Sequence, residues 1–117
     1  MPEHFQTERS ALIIKPLAPY WEWANSIEDG IPPEQKGFNG TEKDHTVYLI
    51  PVSSPEMMEK HVKELFPKIF EEELKAWWTN ENDWPKNRTY KMFKKWFEVS
   101  FAHAVYDKVE QSAEIKN

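Results

Sequence analysis

The sequence predicts an α+β domain: a small three-stranded sheet, in the order β-α-β-α-α-β, packed against helices in two layers. Three observations carry this prediction. Ala11 to Ile14 is a short apolar run that Pro16 ends, as in a buried strand, and Thr46 to Ile50 is a second strand closed by Pro51. Apolar residues from Met58 to Trp78 recur at spacings of three and four, the helical period. Finally, Phe97, Val99, Phe101, His103 and Val105 alternate with Glu98, Ser100, Ala102, Ala104 and Tyr106, the period of a strand.

Taken in order, residues 1–9 read as a flexible arm, and Ser10 to Lys15 as the first strand. Pro19 suits the first turn of a short helix that sets Tyr20, Trp23, Ala24 and Ile27 on one face. Residues 28–45, punctuated by Gly30, Pro32, Pro33, Gly37 and Gly40, form a loop longer than the usual ~4–6 residues, either a lid or simply mobile. Thr46 to Ile50 is the second strand. Ser54, Pro55 and Glu56 then give a capping hydroxyl, a first-turn proline and an acid at the positive dipole end. Because the stripe stays in phase across Pro67, one kinked helix or two stacked end to end is expected. A turn over 80–87 leads to a helix over 88–95 and then to the longest strand, Phe97 to Tyr106. A right-handed crossover would make the first two strands parallel. Residues 10–107 thus form a single domain, and 108–117 a polar tail.

Composition narrows the function classes. The chain has 117 residues, enough for one core, and it has no cysteine, which removes disulfide frameworks, cysteine zinc sites and thiol chemistry. No run approaches the ~18 apolar residues of a membrane span, and Met1 to Arg9 lacks a signal-peptide pattern, so a cytoplasmic setting is expected. With 20 acidic against 15 basic residues, net charge −5, the chain has no global attraction to nucleic acid. Six Trp, seven Phe and four Tyr are enough rings to dominate a core and to leave some for a contact surface.

Several segments are familiar in succession: Ile13-Ile14-Lys15-Pro16 with Trp23-Ala24-Asn25-Ser26, Thr46 to Pro51, Phe70 to Leu74 with Trp77, Trp84-Pro85, Arg88-Thr89, Met92-Phe93, Trp96-Phe97 and Val105-Tyr106-Asp107. The succession resembles a family of small uncharacterised bacterial intracellular proteins. The resemblance implies that setting and carries no activity.

Candidate sites are few. Three glycines form no phosphate cradle, no nucleophile elbow is present, and His4, His45, His61 and His103 are scattered, so neither a metal nor a cofactor is expected. Glu73 falls in the middle of the apolar stripe and needs a partner, with Arg88, Lys15 and His103 as candidates and Arg88 favoured for its forked donors. His103 shares a strand face with Asp107, so Glu73, His103 and Asp107 are the candidate acid–base residues. Trp21 lies ~200° around the first helix from Trp23 and is expected to stay exposed as a contact. Lys86, Arg88, Lys91, Lys94 and Lys95 interleave with Trp84, Tyr90, Phe93 and Trp96, a mix that can hold phosphates and stack bases. The candidate binding residues are therefore Trp21, Trp84, Arg88, Lys91 and Lys95. The leading expectation is a non-enzymatic module, monomeric or homodimeric, that contacts a protein or small molecule through aromatic residues. The alternatives are a small enzyme using Glu73 and His103, or a weak single-stranded nucleic-acid binder acting through the basic helix.

Overall fold

The computed structural model of the chain describes residues 5–27 and 45–109. Its sheet is built on β2 (Arg9–Pro16), which lies between β3 (Thr46–Pro51) and β4 (Phe97–Ala102), antiparallel to both. Leu12 faces Tyr48 on one side and Phe101 on the other, and Ile14 faces Thr46 and Val99. The helices are α1 (Ala18–Ser26), α2 (Met58–Trp77) and α3 (Tyr90–Trp96). The α+β class and the three-stranded sheet agree with the sequence reading; the strand direction does not. The handedness rule describes connections between strands that are already parallel and does not itself make two strands parallel. β3 instead enters the sheet at the end where β2 leaves it, Thr46 beside Ile14.

The last strand is also shorter than its alternation implies. β4 stops at Ala102, and β5 (Tyr106–Asp107) pairs with β1 (Phe5–Gln6), so part of the expected arm is a strand and β2 is the longest one. At the break, Ser10 Oγ takes the His103 carbonyl (2.9 Å) and Thr7 N–H takes that of Val105 (2.7 Å). Four residues, 7–10, face three, 103–105, so pairing resumes one residue out of step, as at a β-bulge.

α2 runs unbroken through Pro67, whose ring is exposed, so the missing N–H weakens only the solvent side. Ser54 does not cap the helix by its hydroxyl; with the Glu56 N–H, that hydroxyl holds the Glu56 carboxyl below its ordinary range. Thr89, inside the helix expected over 88–95, is instead the cap of α3 and accepts the Met92 N–H at 3.1 Å. The core lies between the helices and one sheet face. At its centre Phe70, Phe93 and Phe97 meet with ring centroids 5.0–5.7 Å apart, tying α2, α3 and β4 together. The expected loop over 28–45 lies, apart from His45, outside the described residues, as do 1–4 and 110–117 of the two expected tails.

Trp21 is buried, only 5% exposed, against expectation. The expectation gave α1 one packing partner, but it has two. Trp21 packs edge-on against Trp77 of α2 at 5.6 Å, while Trp23 packs against Trp96 and donates its indole N–H to the Asp83 carbonyl. Trp21→Ala should therefore destabilise the protein by about 3–5 kcal/mol, as large-to-small core changes do, with no change in oligomeric state. Urea unfolding with sedimentation measures both; an effect below about 1 kcal/mol would contradict core placement.

Candidate functional site

Each sequence-derived candidate has a definite place. Glu73 is buried at 5% exposure, as its position in the stripe requires, but the expected partner was wrong. Tyr48 of β3 donates its hydroxyl to Glu73 Oε2 at 2.7 Å, and Tyr20 of α1 donates to the Glu73 backbone carbonyl at 2.7 Å. Arg88 turns instead to Glu71 (3.2 Å) and to the Pro85 carbonyl (2.8 Å), because Glu71 projects from the side of α2 that faces the turn before α3. Burial, followed by the hydrogen bond to Glu73 and its charge, pushes the Tyr48 phenol far above its ordinary range.

The acid–base candidates are not brought together. His103 is exposed, and its Nδ1 meets the Ser53 carbonyl at 2.7 Å; since a carbonyl only accepts, Nδ1 carries the proton. Ser53 precedes α2 and Glu73 lies fifteen residues beyond its first residue, so the two ends are roughly 20 Å apart. Asp107 Oδ1 accepts the Val109 N–H on the far side of the bulge. The polar network at this end was missed: the Ser53 N–H donates to buried Ser10 Oγ (2.9 Å), and Ser53 Oγ meets His61 Nε2 (2.8 Å). It pins the loop after β3 to the ends of β2 and β4.

The basic helix does not offer its rings. Trp84 is buried with its indole N–H on the Trp78 carbonyl, and Phe93 is fully buried. Arg88 lies over the Trp84 ring and Lys94 over Tyr90, covering from outside the faces that bases would stack on, while Lys91 and Lys95 are exposed. A polar cleft of about 500 Å³ is lined by four cations, Lys68, Lys75, Lys86 and Arg88, and three carboxylates, Glu71, Glu72 and Glu81, so opposite charges offset most of one another. Among the described residues no cluster of three or more potential metal ligands occurs, and no helix is long and apolar enough to cross a membrane.

The unusual surface is on the sheet. Leu12, Ile14, Ile50 and Phe97 point to the helices and are buried. By alternation Ala11, Ile13, Val47, Leu49, Ser100 and Ala102 point the other way. On that side Val47 and Leu49 are 56% and 55% exposed, flanking half-buried Ile13. β3 is an edge among the described strands, and a groove of about 160 Å³ lies between it and α2, lined by Tyr48, Leu49, Leu65, Lys68, Ile69 and Glu72. The Tyr48–Glu73 hydrogen bond fixes the floor of this groove. No protein-family model, curated protein or solved structure matches the chain.

Two results should follow from the Tyr48–Glu73 contact. In a double-mutant cycle by urea unfolding, Tyr48→Phe and Glu73→Ala should couple by about 1–3 kcal/mol, while Arg88→Ala adds independently to either; additive effects of the first two would contradict the contact. Because the folded pKa of Tyr48 is raised, its contribution is complete below the unfolded value of 10.0 and is lost as pH rises above it. Between about pH 9 and about pH 11, wild type should lose more stability than Tyr48→Phe; equal losses would contradict the raised pKa.

Proposed function

We propose that the protein is a non-enzymatic interaction module whose contact surface is the β3 side of the sheet rather than its aromatic rings. The observation that carries this reading is the pair Val47 and Leu49, more than half exposed on a sheet face that no described helix covers. Leaving two branched aliphatic side chains in water forgoes about 1.5–3 kcal/mol each relative to full burial, and covering them would recover part of it. The tryptophans are used internally: Trp21 and Trp84 hold α1 and the turn before α3 in place. The partner class this surface suits is a polypeptide, since an edge strand presents backbone donors and acceptors beside its apolar side chains.

Site-specific photocrosslinking in the native cell extract tests the reading. A benzoylphenylalanine placed at position 47 or 49 should give discrete polypeptide adducts, whereas at position 75 or 91 it should not. Adducts only from the latter positions, or from none, would contradict it.

A further inference from the structure

Among the described residues, the edge formed by β3 lacks the devices that keep sheet edges apart. Between Thr46 and Ile50 there is no charge, no glycine and no proline, and Pro51 comes only at the end. Monomeric proteins usually protect such an edge with lysine, proline, a bulge or a covering element. The opposite edge strand, β4, carries Glu98. As on any edge strand, alternate residues of β3 direct N–H and C=O groups away from β2, with no described strand to pair them.

We infer that β3 pairs with β3 of a second copy of this chain, antiparallel across a two-fold axis at Tyr48, to make one continuous six-stranded sheet. This rests on the reading of the β3 side as the contact surface and names its partner. Three features favour a second copy over an unrelated strand. First, the register is self-complementary in shape. Val47 lies opposite the partner's Leu49 and Leu49 opposite the partner's Val47, so the four most exposed aliphatic side chains of the two faces cover one another. Second, it is self-complementary in charge. The groove is rimmed on α2 by Lys68 and Glu72, four residues apart and of opposite sign, and a two-fold axis turns each Lys68 toward the partner's Glu72. Third, it closes. An isologous pairing uses the uncharged edge of both copies and leaves Glu98 on each outer edge, so growth stops at two.

The contact is small. Five residues of one strand and a groove lined by six residues fall well short of the roughly 20–30 residues a side that stable complexes use. The dimer should therefore dissociate on dilution.

Sedimentation velocity between about 1 μM and about 1 mM, the range of weak association, tests the inference. The weight-average mass of wild type should rise from the 14.0 kDa of one chain toward twice that value. Leu49→Lys should weaken association about tenfold or more, by placing an ammonium where the strands meet, and leave the urea midpoint unchanged because Leu49 is exposed. Lys68→Glu should also weaken it, by setting like charges across the axis, and the combined Lys68→Glu and Glu72→Lys exchange should restore it. Wild type that stays monomeric throughout, a dimer indifferent to Leu49→Lys, or an exchange variant no better than Lys68→Glu alone would each overturn the inference. A monomer that still gives adducts from position 47 or 49 with another polypeptide would overturn the second copy as partner and leave the interaction reading standing.

Discussion

The contact of Phe70, Phe93 and Phe97 holds α2, α3 and β4 on the same side of the sheet, and the rest of the molecule follows from that one-sided packing. Each of the three rings is at most 2% exposed, and they belong to three successive elements of the chain. Such a cluster stabilises by area and by tilted ring geometry together, at several kcal/mol on the order of 1.5–3 per buried ring. It also commits every described helix to a single layer. The other face of the three-stranded sheet is then covered by none of the described helices. On that face Ala11, between Leu49 and Ala102, is buried, whereas Val47 and Leu49 are more than half exposed.

The buried carboxylate of Glu73 works within the same frame. A carboxylate among apolar residues needs donors, and two tyrosine hydroxyls from different elements reach its residue: Tyr48 the side chain and Tyr20 the backbone carbonyl. One residue of α2 is thereby tied to β3 and to α1. This polar tie sets how close β3 lies to α2 and so shapes the groove at the sheet edge. The site and the core are not separate devices, since the element that exposes Val47 and Leu49 is the element that Glu73 anchors.

Much of this was legible in the sequence, and the failures have identifiable physical causes. Helical periods marked the helices, short runs ending in proline the first two strands and alternation the last, and the phase of the stripe through Pro67 placed Glu73 inside. A period reports which face a residue occupies, not what lies opposite. Tyr48, twenty-five residues earlier, was therefore invisible as the partner of Glu73, and Arg88 was favoured for its chemistry alone. Trp21 was misread because one apolar face was assumed per helix, whereas α1 is packed on two sides. The two-residue strands β1 and β5 are too short to carry any period. The most consequential case is Thr46 to Ile50. Such a run reads as a strand without saying whether its faces and edge are covered, and β3 is an edge among the described strands with Val47 and Leu49 exposed. The signal lay in what the run contains, but only the topology shows that this strand is an edge.

The central claim is that β3 is an open edge beside an otherwise closed core. Residue-resolved amide hydrogen exchange in dilute solution tests it most directly, because protection reports which N–H groups have partners. In β2, the central strand, amides should be protected along the ladder. In β3 they should alternate, slow where they face β2 and fast where they face away from it. Uniformly slow exchange along β3 in dilute solution would mean that the edge is already covered within one chain, and would contradict the account.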